Sequence, residues 1–179
     1  MIDSAFLARL RIEPFDRQVH DRAAFRSGVD RVDNFLHKTA TRQQEDDLTR
    51  VYVACLDQQT EVVGYYALNS HSIDVTTLPE AARKKLPRYP TISAIYLSVI
   101  GFAVTHQGKG GGHFLLMDAL RKCAEVADII GAHFVVLDSL NERAAKLYRE
   151  IGFIDLPNHE PRMLVNMRVV RAAIAEADK

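Results

Sequence analysis

Ile92 to Phe102 is a near-continuous apolar run, and shortly after it Gly110-Gly111-Gly112 opens an amphipathic stretch that lasts to Gly131. An apolar run without alternation is the pattern of a central strand covered on both faces. In the stretch that follows, Leu116, Met117, Leu120, Cys123, Ala124 and Ala127 form one helical face, and Asp118, Arg121, Lys122, Glu125 and Asp128 form the other. A buried strand that turns sharply into an amphipathic helix restricts the chain to a layered architecture, with a sheet covered by helices.

The remaining pattern extends this layout. Val32, Phe35, Leu36 and Thr39 fall at i, i+3, i+4, i+7, a helix face. Val51–Leu56 and Val62–Leu68 read as strands joined by a turn at Asp57-Gln58-Gln59-Thr60. Residues 71–90 break the pattern as a basic, proline-containing insertion, with Pro79, Pro87 and Pro90 among Arg83, Lys84, Lys85 and Arg88. Pro79 suits the first turn of a short helix. Gly131 is placed to end the long helix as a left-handed cap. A strand over His133–Asp138, a helix over Asn141–Ile151 closed by Gly152, a strand over Met163–Val169 and a polar helical tail over 170–179 complete the chain. The expected fold is a single α/β domain over 1–179, a mixed, mostly antiparallel sheet flanked by helices.

Composition removes several function classes. Lys plus Arg and Asp plus Glu both number 23 among 179 residues, so the overall charge selects no polyanionic partner. Cys55 lies in a strand-like run and Cys123 on a helical core face, so both read as buried reduced thiols. The histidines show no metal-site spacing, and no metal is expected. The longest apolar run, Ala94 to Val104, is too short for a membrane span. No signal peptide is visible, which makes the cytoplasm the expected compartment.

Four features carry candidate chemistry. In Gln107-Gly108-Lys109-Gly110-Gly111-Gly112 the backbone can approach a ligand closely, and the first helical N–H groups lack intrahelical partners. With the helix dipole added, this is either a phosphate site, with Lys109 as a further cation, or simply a tight strand-to-helix turn. It is not a Walker loop, because no Lys-Ser/Thr pair follows the last glycine, nor does it fit a dinucleotide fingerprint. Tyr148 shares a helix face with Ala144, Leu147 and Ile151, so it is either a core tyrosine or a phenol able to protonate a thiolate. Asn141 is either a helix N-cap or an amide that bonds a ligand. The Arg83–Arg88 cations form a solvated face or meet phosphates.

In this order and spacing, these residues resemble the GNAT superfamily of N-acetyltransferases over roughly Val51 to Val169. The family's Gln/Arg-x-x-Gly-x-Gly motif fits Gln107, Gly110 and Gly112, and its Asn…Tyr…Gly-Phe motif fits Asn141, Tyr148, Gly152 and Phe153. Phe25–Leu36, Thr49–Val53 and Val63–Leu68 narrow the resemblance to the GNAT toxins of bacterial toxin–antitoxin pairs, which acetylate the amino group of aminoacyl-tRNA. In those toxins the long strand usually reads Leu-Gly-Arg-Leu-Ala-Val-Asp. In the ungapped register Ile100-Gly101-Phe102-Ala103 falls on its last four residues, and Val99 stands where the arginine would be.

The resemblance implies direct transfer from acetyl-CoA to a primary amine. Backbone groups near Ile100 and Phe102 would pair with the pantetheine and polarise the thioester. Gln107–Gly112 would hold the pyrophosphate, Asn141 would touch the pantetheine arm, and Tyr148 would protonate the departing thiolate. It also implies a ribbon-helix-helix antitoxin and a homodimer. Many family members carry a glutamate base on the long strand, but Ile92–Val104 contains no acidic residue. An α-amine, with pKa ~7.7–8.0, needs a base far less than a lysine amine near ~10.4. An α-amino acceptor is therefore expected. A small-amine or protein N-terminal acetyltransferase, and a CoA- or partner-binding domain without turnover, are the alternatives.

Overall fold

The computed structural model describes residues 2–179. In chain order the elements are α1 (Ser4–Leu7), β1 (Leu10–Pro14), α2 (Asp30–Asn34), a π-helical turn (Phe35–Thr39), α3 (Ala40–Glu45), β2 (Arg50–Leu56) and β3 (Gly64–Asp74). Then follow α4 (Glu80–Arg83), β4 (Thr91–Phe102), α5 (Gly111–Ile130), β5 (Phe134–Asp138), α6 (Glu142–Ile151), β6 (Ile154–Asp155), β7 (Arg162–Asn166) and α7 (Met167–Ala177). Among the described residues the strands form one sheet in the order β1-β2-β3-β4-β5-β7-β6. β4 runs parallel to β5, while β1–β2, β2–β3, β5–β7 and β6–β7 are antiparallel. The expected mixed, mostly antiparallel sheet is present. The chain divides into two compact units, and β3, β4 and α5 each contribute residues to both.

The first unit comprises the chain up to Asn69 together with Ser98–Ala119. Its core joins Phe25, Leu36, Val51, Val53 and Tyr65, each at most 1% exposed. The helical pattern from Val32 is not continuous: the π-helical turn over Phe35–Thr39 interrupts it. Such a turn displaces backbone carbonyls from the regular ladder, and Arg22 satisfies one of them, donating from Nη1 to the Leu36 carbonyl at 2.6 Å. β1 lies outside the sequence expectation. It is an edge strand with Pro14 at its end, a position where a missing N–H costs little.

The second unit comprises Ser70–Leu97 and Leu120–Lys179. Ile73, Leu78, Ala94, Val136 and Leu164 are part of its buried cluster. Two boundaries differ from expectation. β3 continues to Asp74, so the irregular insertion begins only at Val75, because Ile73 is buried in that cluster. The last strand stops at Asn166 and the tail helix begins at Met167 rather than 170. The cause is local: Asn166 Oδ1 accepts the Val169 N–H at 3.0 Å, an N-cap that ends the strand. Pro79 precedes the four-residue α4, and Gly131 follows α5 with φ +72°, as a left-handed cap requires.

Candidate active site

The glycine turn lies wholly in the first unit and is built by packing from several parts of the chain. Gly108 and Gly110 have φ of +81° and +91°, a region that favours glycine. Gly111 is required for a different reason: a Cβ there would lie 2.4 Å from Cζ of the buried Phe102 ring. Gly112, in contrast, has nothing within 4 Å of where a Cβ would sit. Packing and backbone strain therefore explain the first three glycines and leave Gly112 facing open space at the N-terminus of a 20-residue helix. Unpaired N–H groups and the positive end of the dipole meet at such a position, and both suit a phosphate ester.

Gln107 acts as a clamp in this turn. Its amide nitrogen donates to the Ser27 carbonyl at 3.0 Å and to the Phe102 carbonyl at 2.9 Å. The Phe102 carbonyl is thus engaged within the protein, and Phe102 contributes through its ring as the wall behind Gly111. Ile100, half-buried on the same strand, belongs to the same unit. Lys109 Nζ lies 4.9 Å from the Phe6 ring centroid, and the Lys109 carbonyl accepts the Asp3 N–H at 3.1 Å. The N-terminal segment therefore braces the turn. Gln107→Ala should lower stability by about 1–2 kcal/mol, the net worth of two hydrogen bonds, and should weaken acetyl-CoA binding by loosening the turn. Denaturant titration and calorimetry check the two effects; unchanged affinity would remove Gln107 from the positioning role.

Asn141 and Tyr148 lie in the second unit, on α6. Asn141 is the helix N-cap, with Oδ1 accepting the Ala144 N–H at 2.9 Å. The cap uses only the oxygen and leaves the exposed amide nitrogen able to donate. Gly152 closes the helix at φ +117°, and a Cβ there would strike Val169 at 2.5 Å. This cap folds the chain back so that Phe153 meets Tyr148, with ring centroids 5.8 Å apart. Tyr148 is 6% exposed, and burial pushes its phenol up to about 12. Its hydroxyl makes no hydrogen bond among the described residues, yet no fully enclosed side-chain polar atom there lacks a partner. The hydroxyl oxygen therefore reaches accessible space while the ring stays in the core. The result is a protonated donor that has no acceptor among the described residues.

Residues 15–153 match the sequence profile of the "Acetyltransferase (GNAT) family". The chain belongs to this family. As a GNAT protein it is an acetyl-CoA N-acetyltransferase. It is 42% identical over 172 residues to the "Probable toxin TacT" of Sinorhizobium fredii, covering 92% of this chain and 95% of that one. It is 31% identical over 173 residues to the "tRNA-acetylating toxin" of Mycobacterium tuberculosis, covering 97% and 99%. The structure of AtaT complexed with acetyl-methionyl-tRNAfMet superposes with a TM-score of 0.82 at 26% identity, covering 91% of this chain and 98% of that one.

Sequence reasoning singled out the glycine turn of this GNAT chain but missed Ser27, Phe6 and the Phe102 ring as the supports of that turn. Ser27 lies 80 residues before Gln107, so no local spacing could have revealed it. Cys55 and Cys123 are free and buried, and burial raises their thiols to about 11 and about 12. Among the described residues no group of three or more His, Cys, Asp or Glu could hold a metal, and no helix is long and apolar enough to cross a membrane.

Proposed function

We propose that this protein transfers acetyl from acetyl-CoA to the α-amino group of aminoacyl-tRNA, as the toxin of a type II toxin–antitoxin pair. The observation that carries the reading is its nearly full-length likeness to a tRNA-acetylating toxin, 31% identical over 97% of the chain. The local chemistry agrees with it. N–H groups of the Gly110–Gly112 turn bind the CoA pyrophosphate, with Gly112 leaving room for close approach. Backbone groups near Ile100 and Phe102 pair with the pantetheine, and the Asn141 amide nitrogen donates to its carbonyls.

Tyr148 then protonates the thiolate that leaves the acetyl carbon as the amine attacks. A phenol at about 12 gives up its proton only to a base of similar strength. Desolvation raises a thiolate's affinity for protons just as it raises the phenol's, so a thiolate shielded from water beside Tyr148 is a matched acceptor. No acidic residue stands on β4 between Ile92 and Phe102 to serve as a base. An α-amine, with pKa ~7.7–8.0, supplies a useful neutral fraction without one. The same reading includes a ribbon-helix-helix antitoxin, a homodimer and a cytoplasmic location.

The test is to incubate labelled acetyl-CoA with charged tRNA, uncharged tRNA and a lysine-containing peptide blocked at its N-terminus. Label should appear only on charged tRNA, bound through the aminoacyl group. Expression should arrest growth, and Tyr148→Phe should relieve the arrest. Preference for the lysine peptide would sink the α-amine assignment.

A further inference from the structure

A cavity of about 200 Å³ opens in the second unit, lined by His71, Ser72, Asp74, Thr77, His159 and Arg162 over a floor of Ile73, Val136, Leu156 and Leu164. Nothing in the proposed transfer chemistry uses it. It is smaller than the ~300–1,000 Å³ of sites for whole small molecules, so it suits one ring system or side chain.

Arg162 is fixed at this cavity. Its Nε and Nη2 donate to the two oxygens of Asp138 at 2.9 and 3.0 Å, and the Tyr96 hydroxyl donates to Asp138 at 2.6 Å. The guanidinium lies 5.1 Å from the Tyr96 ring centroid, and the His71 ring lies 5.4 Å from it. Neither of the Arg162 bonds to Asp138 uses Nη1. Asp138 already balances the Arg162 charge, and Asp74, hydrogen-bonded by Thr76, adds a carboxylate at the rim. The cavity therefore disfavours an anion. An apolar floor, planar walls, a donor not used by Asp138 and an acceptor edge suit a neutral planar group with hydrogen-bonding edges, which is a nucleobase.

The cations lie on the segment that leaves this cavity. After Thr77 the chain enters α4 and its flank, where Arg83, Lys85 and Arg88 are exposed, and among the described residues only Lys84 of this cluster forms an ion pair, with Glu80 at 2.8 Å. Leu78 and Leu86 anchor the segment to the same apolar cluster that floors the cavity. Tyr89, 64% exposed beside Arg88, offers a further stacking face.

We infer that this unit holds the 3′ end of the RNA acceptor, with its terminal base in the cavity beside Arg162 and the preceding phosphates on Arg83, Lys85 and Arg88. The inference rests on aminoacyl-tRNA being the acceptor. Arg162 also ties β5 to β7, so the test leaves it in place.

Two fluorescent single-stranded hexaribonucleotides serve as probes, one with a terminal adenosine and one with an abasic ribose at the same position. Ser72→Phe plugs the cavity from an exposed position, and His159→Ala removes one wall from an exposed loop. Each should weaken binding of the adenosine oligomer about tenfold, near the lower end of one stacked base, and leave the abasic oligomer unchanged. Equal losses for both oligomers, or none, would overturn the base assignment. An effect confined to the aminoacyl moiety of charged tRNA would overturn it too, and would give the cavity to the amino-acid side chain. Replacing Arg83, Lys85 and Arg88 with Gln should weaken both oligomers and make the salt slope shallower by about 2; an unchanged slope overturns the phosphate contacts. If the wild-type chain neither binds RNA nor acetylates charged tRNA, the acceptor reading itself fails. If it acetylates charged tRNA while Ser72→Phe and His159→Ala change nothing, only this inference fails.

Discussion

A Tyr148→Phe protein is expected to fold as the parent does, to bind acetyl-CoA with unchanged affinity, and to lose transfer activity by about 10²–10⁴-fold, the usual contribution of a positioned proton donor. The stability expectation follows from the environment of the hydroxyl. The ring is buried and remains so in phenylalanine, and the hydroxyl has no hydrogen-bond partner among the described residues to lose. A change within about 0.5 kcal/mol is therefore expected in denaturant titration. The activity expectation follows from the proton. Burial holds the phenol at about 12, so it is protonated across the neutral range and no limb of a neutral pH profile belongs to it. A limb near ~7.7–8.0 belongs instead to the acceptor α-amine, with the rate rising as pH rises through that range because the neutral amine is the nucleophile. Single-turnover kinetics with saturating acetyl-CoA separates the chemical step from binding. Activity within threefold of the parent would remove Tyr148 from the mechanism.

The parts of the fold legible in the sequence are those written in local periodicity. The β4 run, the α5 faces, the Asn141 cap and the Gly152 stop are each encoded within a few residues of where they act, and each stands where the pattern predicts. Elements that depend on partners distant in sequence were not legible. β1 has no alternation strong enough to announce it and is defined by pairing with β2, Leu10 opposite Leu56. The π-helical turn preserves an apolar face, so periodicity reads straight through it. The Met167 boundary was missed because Val169 and Val170 extend an apolar run that only the Asn166 cap interrupts. The site divides in the same way. Gln107 was legible as a motif residue, but the work of its amide, bridging Ser27 and Phe102, is a tertiary fact. The cavity beside Arg162 joins residues from four separated segments, and no spacing rule reaches that far.

Two adjacent glycines should respond to the same substitution with opposite effects on stability. At Gly111 an added methyl would lie 2.4, 2.6 and 2.7 Å from three atoms of the Phe102 ring. The ring has no easy retreat, because a Cβ at Gly64 would also meet it at 2.6 Å and its centroid lies 6.2 Å from that of Phe6. Gly111→Ala is therefore an overpacking change and should cost about 3 kcal/mol, at the upper end of that class. At Gly112 the methyl meets nothing, and the position is helical, where alanine is intrinsically better than glycine by up to about 1 kcal/mol. Gly112→Ala should leave the melting temperature unchanged or slightly higher. Yet it should weaken acetyl-CoA binding about tenfold, or 1.4 kcal/mol, because the methyl occupies space the pyrophosphate needs to reach the helical N–H groups. Loss of affinity with gain of stability cannot come from a damaged fold, so this variant separates a ligand cradle from a mere tight turn. If Gly112→Ala binds acetyl-CoA as the parent does, the pyrophosphate does not lie against that residue, and the open space at the start of α5 needs another explanation.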